Sequence, residues 1–177
     1  MYKNNLANGF KQTKIVTLMG ILIASEIVLS RFASISAWNI KVGFGFVPIV
    51  IAAMFLGPVK AGIIGAVSDF MGAILFPIGA YFPGFTLTAL CTGIFYGIFL
   101  YNKESLFRIV VVVGINQLIL SLFVNTLWIS VLYGSPYWPL FMTRIFQSMV
   151  LIPVQIVIIN IISKTSVLKA VVPNYRG

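Results

Sequence analysis

The stretch LFRIVVVVGINQLILSLFVNTLWISVL, Leu106 to Leu132, carries a single charge, Arg108, near its start. A helix rises 1.5 Å per residue and covers the roughly 30 Å of bilayer hydrocarbon in about 20 residues, so this run is long enough to cross. It lacks the alternation of membrane β-strands. A helix satisfies its own backbone hydrogen bonds and needs no sheet to close around it.

Working outward, Gly134-Ser135-Pro136 turns the chain into a last apolar run, Tyr137 to Ile162. Upstream, Asn102, Lys103 and Glu104 separate Leu106 from the run Phe85 to Tyr101. The segment Pro77-Ile78-Gly79-Ala80-Tyr81-Phe82-Pro83-Gly84 breaks the helix between that run and Val59 to Phe76. Gly57-Pro58 then bounds a short span, Gly43 to Leu56, and a polar stretch, Ala33 to Val42, joins it to the first span, Thr13 to Phe32. The chain is 60% hydrophobic and 8% charged, with a mean hydropathy of +1.06, where soluble domains carry roughly a quarter charged residues. The expected fold is an all-α integral membrane protein of six transmembrane helices. It forms one domain, with an N-terminal tail 1–12, a bundle 13–162 and a C-terminal tail 163–177.

Charge orients the bundle. With the N- and C-termini cytoplasmic and six crossings, Lys3, Lys11, Lys14, Lys60, Lys103, Arg108, Lys164, Lys169 and Arg176 all fall inside, as the positive-inside rule requires. Five crossings would move the last six of these outside. Orientation and anionic lipid account for the net charge of +9, so nucleic acid is not an expected partner. A cleaved leader is not expected, because the first run is too long and Arg31 interrupts the approach to any cleavage site. The one cysteine, Cys91, lies mid-span and reads as a packing residue.

With no histidine in the chain, imidazole metal sites and Ser-His-Asp catalysis are excluded. No GxxxxGK[ST] loop is present, so the chain does not hydrolyse ATP by that route. The only carboxylates within spans, Glu26 and Asp69, are not placed as a catalytic pair by anything in the sequence. The chain reads as a non-enzyme without cofactors.

The informative residues are the cations on the outer side: Arg31, Lys41 and Arg144. A Lys or Arg facing lipid near the bilayer centre costs about 2.5–3.5 kcal/mol on insertion scales. Arg144 lies two turns into the last span, so it is expected to face a cavity or a partner. An ion pair with Glu26 or Asp69, or snorkelling to the headgroups, is the structural alternative. Arg144, Gln147, Leu151 and Gln155 share one helix face. Asn125 lies at the depth of Arg144 on the neighbouring helix, with Trp128 one turn above it on the same face. Gln155, deeper, reads as an interhelical hydrogen-bonding residue. Tyr81, Phe82 and Phe85 add aromatic surface on the outer side, whereas Tyr133, Tyr137 and Trp138 read as an interfacial belt. A concave pocket with flat aromatic walls, amides and cations suits a planar anionic molecule.

The strings Leu29-Ser-Arg-Phe-Ala-Ser-Ile, Lys41-Val-Gly-Phe-Gly-Phe-Val-Pro-Ile, Gly57-Pro58, Gly65-Ala-Val-Ser-Asp69 and Phe76-Pro-Ile-Gly-Ala-Tyr-Phe-Pro-Gly-Phe-Thr-Leu resemble the folate-specific S component of energy-coupling factor transporters. The resemblance implies a bacterial cell-membrane subunit that captures folate on the outer face. Release would be inward, through association with a transmembrane T protein and two ATPases that use the ATP. Folate's flat pterin would stack on Trp128, Tyr81 or Phe85 and meet Asn125 or Gln147, and its glutamate would meet Arg31, Lys41 or Arg144. The family's small-residue docking pattern on the first helix falls on Gly20 and Ala24, with Gly in place of the first Ala. Packing within the bundle is the alternative reading there, and the preferred one for Ala61, Gly62, Gly65 and Ala66. Two functional alternatives stay open: an S component for another vitamin, or an autonomous proton-coupled carrier using Asp69 or Glu26. The absence of recognisable inverted repeats weighs against the carrier.

Overall fold

A computed structural model of the chain describes residues 2–37, 40–102 and 105–164, with side chains from 12–34, 43–102 and 105–164. Helix α1, Tyr2–Arg31, is followed by a hairpin of two short antiparallel strands, β1 Ile35–Ala37 and β2 Ile40–Val42, with Ile35 opposite Val42. Then come α2 Phe46–Leu56, α3 Pro58–Leu75, α4 Pro83–Leu100, α5 Leu106–Gly114, a π-helical segment Ile115–Val124, α6 Asn125–Tyr133 and α7 Tyr137–Lys164. Among the described residues, five helical stretches are long and apolar enough to cross a membrane: Gln12–Arg31, Pro58–Leu75, Pro83–Leu100, Leu106–Tyr133 and Tyr137–Lys164. The protein is an all-α membrane protein apart from the hairpin, which occupies the polar stretch after the first span. Ile-Ser-Ala and Ile-Lys-Val place an isoleucine or valine at both ends of the pairing, and such residues favour strands.

The short helix α2 is the exception among the apolar helices. At 1.5 Å per residue it is about 16 Å long, too short to cross alone. Pro48, Ile49, Val50, Ala52, Ala53, Met54 and Leu56 are all buried, packed against α1, α3 and α4. Protein rather than lipid surrounds it, so bilayer thickness does not set its length. It ends at Gly57, whose φ of +85° lies where only glycine is unstrained, and Pro58 begins α3 at once, where its missing N–H costs nothing.

Helices α3 and α4 form the most extensive contact in the molecule, and small residues explain it. A Cβ on Gly65 would come 2.6 Å from the Ala89 carbonyl oxygen, and one on Gly93 or Gly97 would collide with the backbone of Ala61 or Pro58. The two helices therefore run antiparallel with backbones nearly touching, and Ala61, Gly62 and Gly65 are packing residues. The ends of α1 and α3 also meet. A Cβ on Gly72 would lie 3.2 Å from Arg31 Nε, and the rings of Phe32 and Phe76 stand edge to face at 5.2 Å. Helices α1 and α3 thus point the same way.

The apolar stretch Leu106–Tyr133 is helical throughout, but its middle, Ile115–Val124, is π-helical. The wider turn rotates one half of the helix relative to the other, which regular 3.6-residue spacing did not anticipate. The segment buries Asn116, Gln117, Leu120 and Leu122. On α7, Ser148, Leu151, Gln155 and Ile159 are buried, while Met142, Phe146, Met149, Val150, Val157 and Ile161 are exposed. The predicted polar stripe faces inward, and Gln155 Oε1 accepts a hydrogen bond from the Tyr96 hydroxyl at 3.3 Å.

Candidate functional site

The ends of α1, α3, α6 and α7 and the α3–α4 connection enclose a cavity of about 480 Å³, within the roughly 300–1,000 Å³ usual for small-molecule sites. Arg31, Tyr81, Phe85, Asn125 and Arg144 line it, joined by Glu26, Ser30, Asp69, Phe82 and Tyr133. A second cavity of about 370 Å³ reaches toward α2 and α4 past Gly45, Phe46, Thr88 and Thr92, and shares Glu26, Ser30, Asp69, Phe85 and Asn125 with the first. The shared residues join the two cavities, with Glu26, Asp69 and Asn125 lying about one and a half to two turns inward from the ends of their helices.

The local sequence explains how each side chain is held. Arg31 is the last residue of α1, where a cation also suits the helix dipole. Pro77 to Pro83 cannot continue α3, so the chain crosses the mouth and drops Ile78, Gly79, Ala80 and Tyr81 onto the cavity. A Cβ on Gly79 would lie 2.5 Å from the Tyr133 hydroxyl oxygen, so this crossing rests directly on the top of α6. The Tyr81 hydroxyl lies 3.2 Å from Thr86 Oγ1, and Thr86 donates to Asp69 Oδ2 at 2.8 Å. Arg144 donates to the Ser121 carbonyl at 3.3 Å. The side-chain oxygen of Asn125 is buried without a hydrogen-bond partner among the described residues, an acceptor left open in the cavity wall.

Not every predicted residue reaches the cavity. Trp128 stands behind it, its ring 5.4 Å from Phe82 and its Nε1–H donating to Thr88 Oγ1 at 3.1 Å. Gln147 is half-buried on the inward face of α7 but is not part of the lining. The Lys41 side chain lies outside the described residues. Tyr133, assigned to the interfacial belt from sequence, is a wall of the cavity instead. Tyr137 and Trp138 pack with Phe141, and Trp138 is 68% exposed at the start of α7, as a belt residue would be. Phe82, read from sequence as aromatic surface on the outer side, is part of the lining, whereas Ser30 and Thr86 had no sequence signal beyond standing next to Arg31 and just after the Pro77–Gly84 break. Glu26 and Asp69 did have one: carboxylates inside apolar helices are costly unless they serve a site.

The arrangement gathers two guanidinium groups, two carboxylates, an amide and four aromatic rings in one recess. It has no nucleophile–base pair and is suited to holding a flat, polar, charged molecule.

The family described as "ECF transporter, substrate-specific component" matches residues 14–169. The chain is 41% identical over 150 residues to the folate transporter FolT of Clostridium novyi strain NT, covering 84% of this chain and 87% of the relative. It is 31% identical over 151 residues to FolT of Leuconostoc mesenteroides, covering 81% of each. Its fold superimposes on a crystal structure of FolT bound with folic acid with a TM-score of 0.80 and 34% identity, over 85% of this chain and 93% of the other. These relatives are multi-pass bacterial membrane proteins that serve transport rather than catalysis. On the match of sequence and fold alike, the chain belongs to the substrate-specific components of ECF transporters.

Proposed function

We propose that this chain captures folate on the outer side of a bacterial membrane and hands it inward while docked on a T protein and two ATPases. The observation that carries the reading is the recess where Arg31, Arg144, Asn125, Tyr81 and Phe85 converge, in a chain that is 41% identical to a folate transporter. Arg31, Arg144 and, beyond the described side chains, Lys41 supply cations for the glutamate tail. Tyr81 and Phe85 supply faces for the pterin, with Trp128 and Gln147 supporting the walls from behind.

Six crossings with both termini in the cytoplasm fit the geometry. Because the ends of α1 and α3 meet at Arg31 and Gly72, the chain between them has to return across the bundle, and α2 is the element that makes this return. The buried α2 therefore counts as the sixth crossing, and the basic residues then obey the positive-inside rule. On α1, Gly20 and Ala24 are exposed, and a Cβ on Gly20 would meet nothing within 4 Å. Packing within the bundle does not use them, which favours their role as the docking face for the T protein.

Titrating the purified chain with folate tests the reading. Trp128 contacts Phe82 in the cavity wall, so saturable quenching of tryptophan fluorescence is the expected result. A response to riboflavin or pantothenate but not folate would assign a different vitamin. Proton-driven uptake by the chain alone in proteoliposomes would assign an autonomous carrier.

A further inference from the structure

The span Leu106–Tyr133 changes its lipid face partway along. In the half nearer Leu106 the exposed side chains are Phe107, Val110 and Leu118, and in the half nearer Tyr133 they are Phe123, Leu127 and Val131. Each set makes one helical stripe, but the two stripes do not belong to one regular helix. Phe107 and Asn125 are 18 residues apart, about five α-helical turns, so regular winding would point Asn125 the same way as Phe107, which is 76% exposed. Ile129 and Tyr133 would follow it toward that side, and Phe123 and Leu127 would turn inward. The structure has the reverse: Asn125, Ile129 and Tyr133 line the recess, and Val131 is 64% exposed. The two halves are offset by about half a turn.

The ten π-helical residues Ile115–Val124 lie between the halves, and their winding accounts for the offset. Ten residues at the wider π pitch of about 4.4 per turn make about as many turns as eight α-helical ones. The segment therefore holds about two residues more than an α-helix turning equally far, and two residues are about 200° of α-helical rotation. Its wide winding reaches the recess itself, because the Asn125 N–H bonds to the Leu120 carbonyl five residues back. Arg144, which also lines the recess, donates to the Ser121 carbonyl within the segment and ties it to α7.

We infer that the π-helical segment is the positioning element for this wall of the recess: it takes up about two residues and so turns Asn125, Ile129 and Tyr133 inward. The inference rests on the folate reading above. What binding requires is the register of α6, not the π-helix as such, and the segment acts only through the residues it turns. Leu118 and Ile119, at its exposed centre, touch neither cavity.

The offset is tested with nitroxide labels on the full chain in lipid bilayers, in a Cys91→Ala background. Single labels at Phe107→Cys, Val110→Cys, Leu118→Cys, Phe123→Cys, Leu127→Cys and Val131→Cys are all expected to collide freely with oxygen dissolved in the lipid, and labels at Asn116→Cys and Ile129→Cys to be shielded. Shielded labels at positions 123, 127 and 131 would overturn the offset.

The positioning role is tested by deletions, read as the dissociation constant for folate beside the unfolding temperature. Deleting Leu118 and Ile119 lets the segment close to an α-helix with α6 in register, so affinity is expected to stay within about 2-fold, as for a surface change. Deleting Leu127 removes one exposed residue beyond the segment and turns Asn125 by about 100° relative to Ile129 and Tyr133. Folate is then expected to bind at least about 10-fold more weakly, the cost of a recess acceptor lost. Adding Val124→Asn and Asn125→Thr to that deletion returns an amide to the recess and a hydroxyl to the place of the buried Thr126, and is expected to recover most of the loss as the segment gives up one residue. Weakened binding by a folded chain lacking Leu118 and Ile119, unchanged binding without Leu127, or no rescue would each overturn the positioning role. Absence of folate binding by the unaltered chain would overturn the folate reading, and the label scan would still decide the offset. The scan needs no deletion, so a variant that fails to fold does not remove the test.

Discussion

Arg144 on α7 donates to the main-chain carbonyl of Ser121, 3.3 Å away in the π-helical segment. One guanidinium thus touches both the cavity wall and the irregular stretch of the neighbouring helix. A guanidinium carries five donors in a planar fork, so one bond to Ser121 leaves others for a ligand anion or carbonyl.

Arg144→Ala is therefore expected to weaken folate binding by about 10- to 100-fold, the cost of a lost charge-assisted hydrogen bond, with the protein still folded. Fluorescence titration and thermal unfolding in detergent check the two halves. A large fall in unfolding temperature with affinity unchanged would assign the residue to holding the π-helical segment.

The α3–α4 seam predicts a different outcome. Gly93→Val or Gly65→Leu places side-chain atoms where the partner helix has backbone. Overpacking costs typically about 1–3 kcal/mol, and more when backbone rather than side chain has to give. Either change is expected to lower the unfolding temperature and the yield of monodisperse protein.

On α1 the opposite separation should hold. Gly20→Leu and Ala24→Leu enlarge an exposed face, so folate affinity of the isolated chain is expected to stay within about 2-fold, since surface changes rarely exceed 0.5 kcal/mol. Co-purification with the T protein and ATPases, and ATP-driven uptake, are expected to fall sharply. Intact uptake would move the docking face elsewhere.

Topology can be read with one chemical label. In a Cys91→Ala background, Ser34→Cys and Ser135→Cys are expected to react with an impermeant maleimide on whole cells, and Lys60→Cys and Ser105→Cys only after permeabilisation. Labelling of Lys60→Cys from outside would mean that α2 turns back without crossing.

Much of this architecture was legible in the chain because lipid imposes simple rules. Length and hydropathy marked the helices, Gly57-Pro58 and the Pro77–Gly84 segment marked the breaks, and the cost of an intramembrane cation singled out Arg144. What stayed hidden depended on contacts between distant elements. The interior position of α2 comes from being surrounded by α1, α3 and α4, which no local pattern encodes. The π-helical segment shifted side chains from regular spacing. Asn125 lines the cavity while Trp128, one turn on, packs against Phe82 outside the lining, a difference that their spacing alone does not carry. Tyr133 looked like a belt residue because an interfacial tyrosine and a wall tyrosine have the same sequence neighbours; only its contact with Gly79 separates them.

The seam between α3 and α4 has a mechanical consequence. Two helices whose main chains abut from Pro58 beside Gly97 to Gly65 beside Ala89 have no compressible side-chain layer between them and no room to slide. They behave as a single stiff post. Any admission or escape of cargo has to be accommodated by the parts leaning against that post: the hairpin after α1, the crossing segment at Ile78 to Phe82, and the α6–α7 arm.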